Sequence, residues 1–117
     1  MRRTVLIVDD HEAFRESASA LLEAEGFAVV GKAADGCAAI VAAERLRPEV
    51  VLLDIQLPDE DGFAVAELLT AVSDPPRVVL ISSREASAYG RRLETGPSRG
   101  FITKRELSGR ALAALVG

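Results

Sequence analysis

The chain holds a single cysteine, Cys37, so no intramolecular disulfide can form, and its 49% of hydrophobic residues must fill a core unaided. Basic residues are in deficit: 14 Lys and Arg stand against 18 Asp and Glu, with a sequence pI near 5.0. That balance leaves no basic face for DNA or RNA and argues against direct nucleic-acid binding by this segment. No apolar run approaches the roughly 18 residues of a membrane span. The Met-Arg-Arg start leads into a strand of a few residues, too short for a signal-peptide core, so the cytoplasm is the expected location. One histidine, His11, without His or Cys partners makes poor ligand arithmetic for a metal. Repeats, low-complexity tracts and linkers are missing as well, and the 117 residues match one domain spanning 1–117.

What is present is alternation. Short apolar runs that fit buried strands, at Thr4 to Val8, Ala28 to Ala33, Val50 to Asp54, Val78 to Ile81 and Gly100 to Thr103, are separated by helix-like segments. A first helix over about Glu12 to Glu25 places Phe14, Ala18, Leu21 and Leu22 on one side, and Gly26 ends it. An alanine-rich second helix follows Gly36 and runs to about Leu46, before Pro48. Val65, Leu68, Leu69 and Val72 suggest the inner stripe of a third helix, the polar stretch around Glu85 to Glu94 a fourth, and Leu107, Ala111, Leu112 and Leu115 a fifth. Strands joined through helices run parallel with right-handed crossovers, and a three-layer αβα sandwich is the expected architecture.

In such sheets chemistry gathers at the carboxyl ends of the strands. The first run ends in Asp9-Asp10 and the third in Asp54, so three carboxylates meet if those strands are neighbours. Unpaired carboxylates a few ångströms apart repel, so one holds a proton or a hard divalent cation holds them; magnesium, which favours oxygen ligands, suits the set. Capping of strand ends by scattered acids is the plainer alternative for any one Asp, but a doublet plus Asp54 favours a metal site. Lys104 closes the fifth strand and Ser82 the fourth, where an ammonium and a hydroxyl can reach a phosphoryl oxygen.

In this order the residues resemble the receiver domain of two-component response regulators: Asp9-Asp10, then Asp54 with Leu57-Pro58 and Asp61-Gly62 behind it, then Ser82, then Lys104. The resemblance implies a flavodoxin-like α/β fold, a five-stranded parallel sheet of order 2-1-3-4-5 with five helices. It implies Asp54 as phosphoacceptor, with Asp10, Asp54 and the backbone carbonyl of Gln56 as Mg2+ ligands and Asp9 acting through metal-bound water. Ser82 and Lys104 match the phosphoryl-sensing hydroxyl and lysine, and Phe101 the aromatic that switches rotamer with them. The implied partners are a sensor histidine kinase or phosphotransfer protein, and a homodimer is admitted. The implied activity is self-catalysed phosphotransfer with slow self-dephosphorylation in a signalling domain rather than an enzyme, read out on the face made by the fourth helix, fifth strand and fifth helix. The ending Lys104-Arg105-Glu106-Leu107 looks closest to receivers that precede a helix-turn-helix (LuxR/NarL-type) domain, and no such output domain is expected within these residues.

The family commonly follows the lysine with a proline through a cis bond, but Arg105 stands there, which puts the geometry of that peptide in question. Ser83 and Ser98 replace small alanines and Pro97 a glycine. Cys37 reads as a packed thiol, and Tyr89 with Arg84, Arg91 and Arg92 as a solvated face. An aspartyl-phosphate phosphohydrolase would need a second Asp where Gln56 stands, and a flavin binder would have its phosphate repelled by Asp9-Asp10. A receiver-shaped interaction module that never becomes phosphorylated is the second-ranked reading.

Overall fold

A computed structural model describes residues 2–117. Five strands, β1 (Arg3–Val8), β2 (Phe27–Ala33), β3 (Val50–Asp54), β4 (Arg77–Ser82) and β5 (Gly100–Thr103), form one sheet in the order β2-β1-β3-β4-β5, every neighbouring pair parallel. The helices are α1 (Glu12–Ala24), α2 (Gly36–Leu46), α3 (Gly62–Thr70), α4 (Arg92–Thr95) and α5 (Gly109–Val116). This is the expected doubly wound, flavodoxin-like sandwich.

Side chains alternate across a strand, so each apolar run feeds two cores. Val5, Ile7, Val50, Leu52, Val79 and Ile81 meet Ala18 and Leu22 of α1 and Leu112 and Val116 of α5. On the other face Leu6, Val8, Val51, Leu53, Val78 and Leu80 meet Ala39 of α2 and Val65, Ala66 and Leu69 of α3. Each fully buried Leu, Ile or Val contributes about 1.5–3 kcal/mol relative to exposure. A bulge shifts the β1–β2 register between Val5 and Leu6 and brings Gly31 opposite Leu6. A Cβ at Gly31 would lie 2.5 Å from Leu46 Cδ1, so the Leu46 side chain at the end of α2 packs directly over the Gly31 backbone and would have to shift for any larger residue.

The third and fourth helices depart from the sequence reading. Leu68 is 53% and Val72 55% exposed, and α3 ends at Thr70. The buried face is Gly62, Val65, Ala66 and Leu69, an i, i+3, i+4, i+7 stripe in which two members are too small to register as hydrophobic signals. The stretch assigned to one helix over Glu85 to Glu94 is a 3-10 turn at Ala86–Ala88 followed, after Gly90, by the single turn of α4. No continuous apolar stripe spans it, so nothing on the sheet side extends the helix. Leu107 also lies before α5 rather than in it, with Ser108 capping the helix through the Ala111 N–H at 3.0 Å. No helix among the described residues is long and apolar enough to cross a membrane.

Candidate functional site

Because β1 and β3 are adjacent and in register as Val8 with Leu53, the residues that follow them, Asp9 and Asp54, emerge side by side. Asp9 is fully buried and Asp54 2% exposed, while Asp10 and His11 face solvent. Ligand atoms of Asp9, Asp10, His11 and Asp54 all lie within 4.8 Å of one another. Lys104, the residue after β5, reaches across the sheet end and places Nζ 2.6 Å from Asp9 Oδ2 and 3.4 Å from Asp54 Oδ2. Its ammonium also stands 4.7 Å from the centre of the Phe14 ring, which shields it from water.

Burial is the main force on Asp54. It pushes the carboxyl up to about 6, against the pull of the Gln56 N–H at 3.1 Å on Oδ1 and of the Lys104 charge, while the Asp9 carboxylate adds to the rise. Burial draws Lys104 down, but the Asp9 contact and the charges of Asp54 and Asp9 outweigh it and hold the ammonium above the ordinary lysine value. The closer partner of Lys104 is thus Asp9, not Asp54.

Asp9 Oδ1 accepts from the His11 backbone N–H at 2.8 Å and faces His11 Nδ1 at 3.1 Å. Its other oxygen, Oδ2, is buried with no aligned hydrogen-bond donor, only the lysine charge beside it. A buried carboxylate oxygen in that condition, next to two further carboxylates, fits a hard divalent cation or its bound water. The imidazole of His11 is turned to the same cluster, with Nδ1 3.1 Å from Asp10 Oδ1, although composition had argued against it as a ligand. Adjacency to the acidic pair was the available signal.

The loop after Asp54 is set by Gly62. A Cβ there would sit 2.5 Å from both Asp54 O and Ile55 Cα, so only glycine lets the start of α3 lie against the end of β3. The Gly62 N–H donates to Ile55 O at 2.8 Å, and Gln56 pairs with Asp61 in an isolated bridge, which fixes the backbone at Gln56. Asp59 ties the same loop to the first turn of α2 through the Gly36 and Cys37 N–H groups. Cys37 itself is exposed, not packed, because the α2 face turned to the sheet is Gly36 and Ala39.

Ser82 is fully buried at the end of β4 and makes no hydrogen bond to Asp54. Its Oγ lies 2.6 Å from Tyr89 Oη and accepts from the Arg84 N–H at 3.0 Å. Tyr89 is half-buried, with its ring 5.9 Å from Phe63 and 6.0 Å from Phe101, so it is no part of a solvated face. Phe101 is half-buried on β5 opposite Leu80. Arg92 is engaged as well, 2.7 Å from Asp61 Oδ2 and 4.1 Å above the Phe63 ring. Burial is the largest single influence on Asp61 and pushes its carboxyl up, but the Arg92 hydrogen bond and charge and the Phe63 N–H together hold it below the usual range. The Lys104-Arg105 peptide is trans and opens a 3-10 turn over Lys104–Glu106, with Arg105 paired to Glu85.

The structure therefore gathers Asp9, Asp10, Asp54 and Lys104 at one point, sets Gln56 beside them, and leaves Ser82 and Phe101 joined through Tyr89. A groove of about 510 Å3 between α2 and α3 lies at the amino ends of β3 and β4, away from this cluster.

Residues 5–116 match the family model described as the response regulator receiver domain. The chain is 37% identical to the DNA-binding response regulator MtrA of Mycolicibacterium paratuberculosis over 98% of its own length and 52% of that protein. It is 44% identical to protein-glutamate methylesterase/protein-glutamine glutaminase 6 of Anaeromyxobacter dehalogenans over 94% of its length and 32% of that protein. Among solved structures, a two-component response regulator of the LuxR family from Aurantimonas sp. SI85-9A1 superposes with a TM-score of 0.88 at 26% identity, covering 99% of this chain and 86% of that one. The chain spans about half the length, or less, of the curated relatives it matches. With the sheet order, the acidic cluster and the closing lysine all in place, the chain belongs to the receiver domains of response regulators, the signalling modules of two-component systems.

Proposed function

We propose that Asp54 accepts a phosphoryl group from the phosphohistidine of a sensor histidine kinase or phosphotransfer protein. The observation that carries this reading is the Asp54 carboxylate, buried at the end of β3, with Lys104 3.4 Å away and Asp9 and Asp10 in the same cluster. An Asp54 oxygen attacks phosphorus in line; the new P–O bond forms as the P–N bond breaks, and its electron pair leaves with the imidazole nitrogen. Asp10, Asp54 and the backbone carbonyl of Gln56 are the candidate ligands for Mg2+, with Asp9 holding a bound water, and the ion when bound offsets charge on the transferring oxygens. Lys104 supplies the second positive charge at that point and, held by Asp9, is already placed before the donor arrives. The deprotonated carboxylate is the state that reacts: burial raises the Asp54 pKa to about 6 in the metal-free protein, and a dication held on the same oxygens would favour loss of that proton.

Ser82 is the hydroxyl proposed to sense the acyl phosphate, and Phe101 the aromatic that answers it, repacking the α4, β5 and α5 face. That face is the proposed output surface, toward an attached or separate transcriptional domain or a second copy, with the domain acting in the cytoplasm as a switch and not as an enzyme on an external substrate. Incubation with acetyl phosphate or phosphoramidate and Mg2+ is expected to add one phosphoryl group, about 80 Da by intact mass, and Asp54→Asn to abolish it. Labelling that survives Asp54→Asn would move the nucleophile elsewhere, and no labelling of the native chain would make it an interaction module of receiver shape.

A further inference from the structure

We propose that Tyr89 is a positioning residue that holds the Ser82 hydroxyl in the resting protein and is released when Ser82 turns to the phosphoryl group. The inference rests on Asp54 being the phosphoacceptor and adds the resting partner that Ser82 must give up. The hydroxyl of Ser82 is fully buried, and its hydrogen-bond partners are Tyr89 Oη at 2.6 Å and the Arg84 N–H at 3.0 Å; neither belongs to the acidic cluster. Either hydroxyl can be the donor in this pair, but the Ser82 Oγ occupies one χ1 position at a time, so moving towards an oxygen on Asp54 carries it away from the phenol. An anionic phosphoryl oxygen is the stronger partner, since charge-assisted hydrogen bonds are about twice as strong as neutral ones.

Loss of that contact has somewhere to go. The Tyr89 ring is packed edge-on against Phe63 and tilted against Phe101, and it sits in a segment where no residue from Ser83 to Arg99 is buried. Phe101 carries no hydroxyl, so Tyr89 is the side chain that joins the buried serine to the aromatic cluster. The cluster in turn reaches the loop behind Asp54: Arg92 lies over Phe63 and pairs with Asp61, which caps α3 through the Phe63 N–H at 2.8 Å. Phosphorylation thus frees one half-buried phenol and, through it, loosens both Phe63 and Phe101.

Tyr89 is the only tyrosine and tryptophan is absent, so intrinsic emission reports on this residue alone. During labelling with phosphoramidate and Mg2+, tyrosine emission is expected to change on the time course of the 80 Da gain, and to stay constant in Asp54→Asn. Tyr89→Phe keeps the ring and removes the hydroxyl; it is expected to be labelled about fivefold faster at limiting phosphoramidate, the weight of one hydrogen bond. A role in packing alone predicts an unchanged rate, because the ring remains, and that result overturns the proposal. Unchanged emission in protein that has gained 80 Da overturns it too while leaving Asp54 as nucleophile, whereas failure to gain 80 Da at all removes both.

Discussion

The ends of β1 and β3 and the segment from Ser83 to Arg99 are held in opposite ways. All five residues of β3 are buried, as are Val5 to Asp9, and the carboxylates they carry are fixed by strands paired on both sides. The Ser83 to Arg99 segment has no buried residue, two short turns for secondary structure, and contacts made by Tyr89, Leu93 and Arg92 at the rim of the core. The contrast separates two tasks: reactive groups need positions that do not move, and a response needs a segment whose local opening costs little.

Truncation tests the contrast most severely. Leu52→Ala, inside β3, is expected to destabilise by about 2–5 kcal/mol in urea unfolding, the range for a cavity in a packed core. Leu93→Ala is expected to cost under about 1 kcal/mol; equal losses at the two positions would erase the distinction. A smaller effect is expected from charge. The fold binds the Asp54 proton more tightly than the unfolded chain does, so its contribution to stability falls as pH rises from about 4 to about 6. Asp54→Asn removes that loss, and in metal-free protein it is expected to be about 2 kcal/mol more stable than the native chain at pH 7 and no more stable below about pH 4. Thermal melts across that range, without and with Mg2+, check it; a mutant advantage that persists at pH 3.5 would assign the strain to something other than the carboxylate charge. The smallest effect belongs to Arg92→Ala, which breaks an exposed pair with Asp61 and a stack on Phe63 and should cost no more than about 1 kcal/mol. A loss of several kcal/mol would make the segment part of the core.

The buried strand ends were legible in the amino-acid order and the exposed segment was not. Unbroken apolar runs and their terminal acids announce β1, β3 and Asp54, because burial on both faces leaves a signal in every residue. Lys104 was found by its place after the last strand. Leu68 and Val72 misled because Gly62 and Ala66 hold the inward positions of α3, and small residues carry little periodic weight. Tyr89 was missed for a different reason: its contact with Ser82 spans seven residues of irregular chain, and no repeat length encodes such a meeting. The pairing of Lys104 with Asp9 ahead of Asp54 is likewise a matter of side-chain reach, visible only in three dimensions.

Every crossover in the parallel sheet returns through a helix, so all the loops that border Asp54 leave the molecule on a single rim. Gln56, Ser83 and Arg84 stand exposed there and support no strand. Under the proposed phosphorylation of Asp54, the lifetime of the acyl phosphate is separable from the architecture that makes it: exchanges at those three exposed positions are expected to change how water reaches the acyl bond, and so to lengthen or shorten the memory of a signal without renegotiating the fold.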